Sequence, residues 1–173
     1  MNKVIFITAP EVFRDEEYYK PKKVLEDAGI EVTTASVKIG ELTGRFGFKT
    51  ISTLLIQDIN PDDFDAIAYI GGGGSKVFFD NPSALKLAND FFKLGKPTAS
   101  ICIACVILAN AGILKGKKAT VFIDGKEELI KGGAIYTGND METDGNIITA
   151  NGPDIAQDFG KAILKALKQK LIH

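Results

Sequence analysis

The sequence predicts an α/β fold, an α/β/α sandwich in which a mostly parallel sheet carries helices on both faces. Three observations lead there. Short apolar runs alternate with segments of helical period along the whole chain, the pattern of a parallel sheet covered on both sides. The runs 4–9 and 65–70 are apolar enough to be buried strands. The helical segments stop at glycines, as Gly29, Gly95 and Gly112 illustrate, and glycine is the common helix terminator.

Each element follows in order. Residues 4–9 form the first strand and 15–28 the first helix. Residues 30–36 alternate and read as a strand. Gly44 and Gly47 punctuate alternating residues within 40–53, which predicts a small hairpin. Asn60-Pro61-Asp62 is a turn, and the strand 65–70 ends in four glycines, 71–74. Asn81-Pro82-Ser83 opens a helix with Leu85, Ala88, Phe91 and Phe92 on one face. A strand at 97–101 runs into a helix at 103–111, followed by a strand at 119–123 and a short helix at 127–131. Two strands flank Asp144-Gly145, the second at 146–150. Gly152-Pro153-Asp154 starts a long helix striped by Ile155, Phe159, Ile163, Ala166 and Leu167. With 173 residues, no internal repeat and no linker, positions 1–173 read as one domain.

Composition narrows the function. Hydrophobic residues make up 45% and charged residues 25% of the chain, which are globular values. The 21 basic and 22 acidic residues leave no cationic surplus, so no nucleic-acid partner is expected. No apolar run approaches the ~20 residues that span a bilayer, and residues 1–8 read as a strand rather than a signal peptide. Two cysteines make no disulfide framework, which points to a reducing cytoplasm. The single histidine is His173, a terminal position of the kind that usually frays. A Ser-His-Asp or Cys-His arrangement and a histidine metal site are therefore not expected. Catalysis would have to run on Cys, carboxylates, Tyr, Lys or backbone groups, and no metal or cofactor is anticipated.

Ligands of open parallel sheets bind beyond the carboxyl ends of the strands. Here those ends are the loop 10–17, the glycines 71–74, Cys102 and the loop 151–153. The most informative stretch is Ala99-Ser-Ile-Cys102-Ile-Ala104. A strand runs straight into a helix with a nucleophilic residue at the junction and small residues, Ser100 and Ala104, two positions away on either side. This is the pattern of a nucleophile elbow. Free N–H groups and the dipole at a helix start are expected to lower the Cys102 thiol pKa. Cys102 and Cys105 also form a C-x-x-C pair, a spacing that suits reversible disulfide formation. For Cys105 the favoured reading is a buried structural thiol, with a redox partner of Cys102 as the alternative. Pro21 removes the helix partner of the Glu17 carbonyl, a local irregularity of the kind found at functional sites. Glu16 and Glu11 are the competing carboxylates, and the hairpin residues Arg45, Phe46 and Phe48 suit an interface or a turn.

The segment 97–102, the stretch 111–120, and Asp144-Gly-Asn-Ile-Ile-Thr149 followed by Gly152-Pro153 resemble the ThiJ/PfpI group, also called the DJ-1/PfpI superfamily, of the class-I glutamine-amidotransferase-like fold. The resemblance covers essentially the whole chain and implies a flavodoxin-like sheet. It implies that Cys102 is the reactive cysteine and that Glu17, four residues before Pro21, is its carboxyl partner. It also implies an oxyanion-type hole made by the N–H groups of Gly72 and Ile103, and a homodimer or larger assembly. The chain departs from the family pattern at several points. Ile103 stands where the protease-like branch has histidine, and Lys76 where that branch draws an acid from a neighbouring subunit. Residues 120–123 lack the histidine of the deglycase-like branch, and Asn151 stands where arginine often precedes Gly-Pro. What remains is a Cys–Glu pair with backbone donors. The expected activity is glyoxalase- or deglycase-type chemistry on small reactive carbonyls, or stress protection. The alternatives are an amidase or peptidase, disfavoured by the missing histidine, and a non-enzymatic redox sensor or chaperone that oxidises Cys102.

Overall fold

The computed structural model describes residues 1–170; His173 lies outside the described residues. In chain order the elements are β1 (Lys3–Ile7), β2 (Glu11–Phe13), α1 (Asp15–Asp27), β3 (Glu31–Ser36), β4 (Gly40–Gly44), β5 (Lys49–Ser52), β6 (Leu54–Leu55), β7 (Ala66–Tyr69) and α2 (Pro82–Lys93). They continue with β8 (Thr98–Ile101), α3 (Cys105–Asn110), β9 (Lys118–Ala119), α4 (Lys126–Lys131), β10 (Ile135–Tyr136), β11 (Met141–Asp144), β12 (Ile147–Ala150) and α5 (Ala156–Lys170). The main sheet has the order β11-β12-β8-β7-β1-β3-β6. Its strands are parallel except for β11, which runs antiparallel to β12.

Alternation along the central strands builds two cores. Val4 and Phe6 of β1, with Ala66 and Ala68 of β7, face α1 and α5 and meet Tyr18, Leu25, Phe159 and Ile163. Ile5, Ile7, Ile67 and Tyr69 face the other way and meet Leu87, Ala88 and Phe91 of α2. Both faces are covered, so these strands are apolar at every position, as a central parallel strand must be. Burial of this apolar surface is the main term holding the fold, at about 25 cal/mol per Å² removed from water. Helix α1 lies close against α5: a Cβ on Gly160 would stand 2.7 Å from the Cα of Pro21. The Tyr18 hydroxyl ties α1 to Thr34 of β3 and Thr50 of β5, each at 2.6 Å.

Several expectations are corrected. The strand foreseen at 119–123 ends at Ala119, and residues Ile123–Gly125 form a 3-10 turn. The Thr120 N–H goes to the Thr149 hydroxyl (3.0 Å) and the Phe122 N–H to the Cys102 carbonyl (3.3 Å), so neither continues a ladder. The helix foreseen from 103 starts as a 3-10 turn, Cys102–Ala104, before α3, and α5 is likewise preceded by the turn Pro153–Ile155. The buried face of α2 is Ala84, Leu87, Ala88 and Phe91, with Leu85 and Phe92 at its margin. The short strands β2 and β6, and the 3-10 turn Gly73–Phe78 after the glycines, are elements that the periodicity does not announce.

Candidate active site

Cys102 follows β8 with φ +62°, a left-handed conformation that costs a non-glycine residue roughly 1–3 kcal/mol. The junction is a strained elbow, but it does not thrust the thiol outward. Cys102 is 8% exposed and lies at the floor of a cavity of about 420 Å³. That cavity is also lined by Arg14, Glu17, Gly72, Ile103 and Pro153, so the strand-end loops at 10–17, 71–74 and 151–153 converge on the thiol.

Glu17 is fully buried in the first turns of α1. Gly71 joins it to Cys102. A Cβ on Gly71 would stand 2.6 Å from the Cys102 Cβ and from the Ile101 carbonyl, and would run into the Glu17 Oε2. Only glycine admits this approach. Gly72 has φ +100°, and a Cβ there would meet the backbone of Val12, Phe13 and Arg14. The Arg14 N–H donates to the Gly71 carbonyl at 2.9 Å. The competing carboxylates stand elsewhere: Glu16 pairs with Arg14 at 2.8 Å, and Glu11 is exposed.

Burial pushes the Glu17 pKa up to about 8; the Cys102 side chain and the Gly71 N–H lie beside it and pull the other way. Neither meets a Glu17 oxygen at full hydrogen-bond geometry, so the carboxylate is poorly satisfied and holds its proton at neutral pH. The Cys102 thiol is also pushed up, chiefly by burial and then by the charge of an ionised Glu17, while the N–H groups of Ile103 and Gly72 pull it down. The lowered thiol pKa expected from a helix start is thus corrected. Helix α3 has only six residues behind a 3-10 turn, and desolvation outweighs its dipole. The two groups cannot both ionise cheaply. A charge placed on the sulfur is held by the two backbone donors that face it and by the Glu17 O–H.

Cys105 is fully buried, and its thiol donates to the Ala150 carbonyl at 3.6 Å. It packs in the core on the α2 face, whereas Cys102 packs in the other core. Both cysteines are free thiols. Lys76 and Phe122, from segments where the family pattern has other residues, both line the cavity.

A family model described as the DJ-1/PfpI family matches residues 2–166. The chain belongs to the DJ-1/PfpI family. It is 34% identical over 166 residues to a protein of Pyrococcus furiosus named Deglycase PfpI, covering 96% of this chain and 99% of that one. It is 44% identical over 170 residues to Uncharacterized protein MJ0967 of Methanocaldococcus jannaschii, covering 96% and 83%. The crystal structure of a ThiJ/PfpI domain protein from Brachyspira murdochii superimposes with a TM-score of 0.95 at 32% identity and covers 98% of both chains.

The sequence singled out Cys102 and Glu17, and the fold brings the two together around Gly71. Asp124 and Glu128 were not singled out, although both line the cavity; Gly71 was named only with its neighbouring glycines, and Arg45 only as a hairpin residue. Arg45 had a signal in the Gly44–Gly47 turn. The turn docks on the site because Asp15 Oδ2 accepts the Phe46 N–H at 2.8 Å and the Arg45 N–H donates to the Phe13 carbonyl at 2.8 Å.

Proposed function

We propose that this chain is a cysteine-dependent enzyme acting on small reactive carbonyl compounds, with chemistry of the deglycase or glyoxalase type. One observation carries the proposal: a buried Glu17 with a pKa of about 8 beside a buried Cys102 flanked by two backbone N–H donors. A carboxyl group poised near neutrality is suited to take and return a proton. With the pair one proton short and the charge on sulfur, the Cys102 thiolate adds to the carbonyl carbon and the protonated Glu17 gives its proton to the developing alkoxide, leaving a carboxylate. The N–H groups of Gly72 and Ile103 stabilise negative charge through this step. Relatives named as deglycases support the reading. The only histidine of the chain is His173, which disfavours the amidase or peptidase alternative. We further propose that the protein acts as a cytoplasmic homodimer, which light scattering at micromolar concentration tests. The deciding experiment is consumption of methylglyoxal by the wild type and by Cys102→Ser. Turnover that depends on Cys102 supports the proposal. Peroxide-dependent mass gain at Cys102 with no turnover would replace it with a redox-sensing role.

A further inference from the structure

The charges lining the cavity come from two groups of elements. Arg14, Arg45 and Lys76 are contributed by the residue ahead of α1, the β4–β5 turn and the 3-10 turn Gly73–Phe78. Asp124 and Glu128 are contributed by the turn Ile123–Gly125 and α4. Arg14 is matched by Glu16 at 2.8 Å. Among the described residues, Arg45, Lys76, Asp124 and Glu128 have no partner of opposite charge within 4.0 Å. The two arginines share the ring of Phe46, with their guanidinium carbons 4.9 and 5.5 Å from its centroid. Like charges gathered this way attract an anion.

The cationic group is also the one built onto the thiol. Lys76 stands on the turn that starts directly after Gly72, and the Ser75 N–H and hydroxyl both bond the Gly72 carbonyl, at 3.0 and 2.7 Å. The turn that carries Arg45 is held by Asp15, which is 5% exposed and accepts the Phe46 N–H. At Gly44 a Cβ would overlap the Asp15 carboxylate. The acids sit behind Ile103 and Val106, whose side chains a Cβ on Gly125 would touch at 3.0 and 2.9 Å.

We infer that the substrate carries an anionic group, a carboxylate or a phosphate, beside its electrophilic carbonyl, and that Arg45 and Lys76 receive this group while Cys102 attacks the carbonyl carbon. The inference rests on the proposed carbonyl chemistry and adds the class of carbonyl. The acidic pair, Asp124 and Glu128, repels the anion and so sets which way round the substrate enters. In the step itself the sulfur forms a C–S bond and the carbonyl π pair moves to oxygen. The Glu17 proton goes to that oxygen. The product is a hemithioacetal, and no oxidant, reductant or co-reactant is consumed.

The test compares alkylation of Cys102 by iodoacetate and by iodoacetamide, which share a mechanism and differ in charge. Their rate ratio is divided by the same ratio for free cysteine. The expected ratio in the wild type exceeds one. It falls about fivefold or more in the Arg45→Gln, Lys76→Gln double variant and on adding ~1 M salt, where screening reaches within about 3 Å. It rises in Asp124→Asn, Glu128→Gln. A wild-type ratio at or below one, or a ratio that the double variant leaves unmoved, overturns the role of the cationic group. Circular dichroism verifies that the variants fold. Matched carbonyls supply the second arm, read as protection of Cys102 from iodoacetamide: glyoxylate against glyoxal, and glyceraldehyde 3-phosphate against glyceraldehyde. One anionic member is expected to protect at about tenfold lower concentration than its neutral partner, and which pair shows this separates carboxylate from phosphate. Equal protection in both pairs overturns the inference and leaves the carbonyl chemistry standing. Protection by none of the four overturns the carbonyl chemistry and this inference with it, and the alkylation ratio then reads the cationic group by itself.

Discussion

Among the described residues, two that are not glycine adopt left-handed backbone, Cys102 at φ +62° and Val12 at φ +58°, and they bound two consecutive glycines, Gly71 and Gly72. Cys102 is buried and its Cβ bounds the space at Gly71. Val12 is 47% exposed, and its carbonyl bounds the space at Gly72. Cys102 breaks a strand of the main sheet, whereas Val12 is the irregular residue in the pairing of β2 with β4, between the partners Glu11 and Phe13. The difference teaches that strain near a site has two uses. At Cys102 it sets the thiol against Gly71 and into the cavity. At Val12 it bends the chain so that Arg14 can place its N–H on the Gly71 carbonyl. Such strain persists only where the surroundings over-determine it.

The strongest way to break this pairing is to fill the space between the two residues. Gly71→Ala puts a methyl group against Glu17, the Cys102 Cβ and the Ile101 carbonyl, and Gly72→Ala adds an unfavourable φ. Each is expected to abolish iodoacetamide labelling specific to Cys102 and to destabilise the fold by about 4 kcal/mol, at the upper end for overpacking joined to backbone strain. Denaturant titration measures the loss. A well-folded, fully reactive Gly71→Ala protein would show that the two strained residues are independent of the glycines.

The buried end of the comparison carries a pH signature that the exposed end lacks. The Glu17 pKa is raised from 4.5 to about 8 in the folded chain. Below pH 4.5 it is protonated in both states and imposes no penalty. Between these values the unfolded chain ionises and the folded chain does not, so stability falls as pH rises, by about 1.4 kcal/mol per pH unit. From pH 5 to pH 7 the loss is about 3 kcal/mol. The Cys102 thiol, raised by the same burial, extends the loss into alkaline solution. Glu17→Gln should flatten the slope, and an unchanged slope in that variant would assign it to other groups.

Glu17 also sharpens what strain at Cys102 accomplishes. With the O–H available to sulfur, Glu17→Gln keeps a donor and Glu17→Leu removes it. A hydrogen bond to a charged group is worth about 1.5–3 kcal/mol, so the thiolate titration should move up by roughly one to two pH units in Leu and less in Gln. Alkylation near neutral pH should slow accordingly. A downward shift in Leu would mean that Glu17 is ionised beside the thiolate.

Much of this was legible in the sequence because it is local. Buried parallel strands announce themselves as apolar runs, and the elbow as a cysteine between a strand and a helix with small neighbours. Glu17 was reached through the family resemblance, by its place four residues before Pro21. What escaped is what the fold assembles from distant segments. Arg45, Lys76, Asp124 and Glu128 are ordinary exposed charges along the chain, and only the strand order brings their turns to one cavity. The shortened strand at 119 escaped because residues 120–123 are β-prone, but the Thr149 hydroxyl and the Cys102 carbonyl take the donors that a ladder needs. The thiol pKa escaped because desolvation depends on depth, and no motif records depth.

The smallest effect separates the two strained residues most cleanly. Val12→Gly removes a β-branched residue from a conformation that costs it roughly 1–3 kcal/mol, and gives back part of this as extra freedom of the unfolded chain, about 0.5–1 kcal/mol. Val12 is half exposed, so little burial is lost. The expected outcome is a gain of about 1 kcal/mol with Cys102 alkylation unchanged, because Val12 bends the loop while the hydrogen bond from Arg14 to Gly71 and the packing around Gly72 hold it in place. Cys102→Gly relieves the same kind of strain but removes the reacting atom, so it should gain stability and lose labelling entirely. If Val12→Gly instead slows alkylation of Cys102, the strained valine is helping to hold the glycine loop against the thiol, and the two left-handed residues act as one device rather than two.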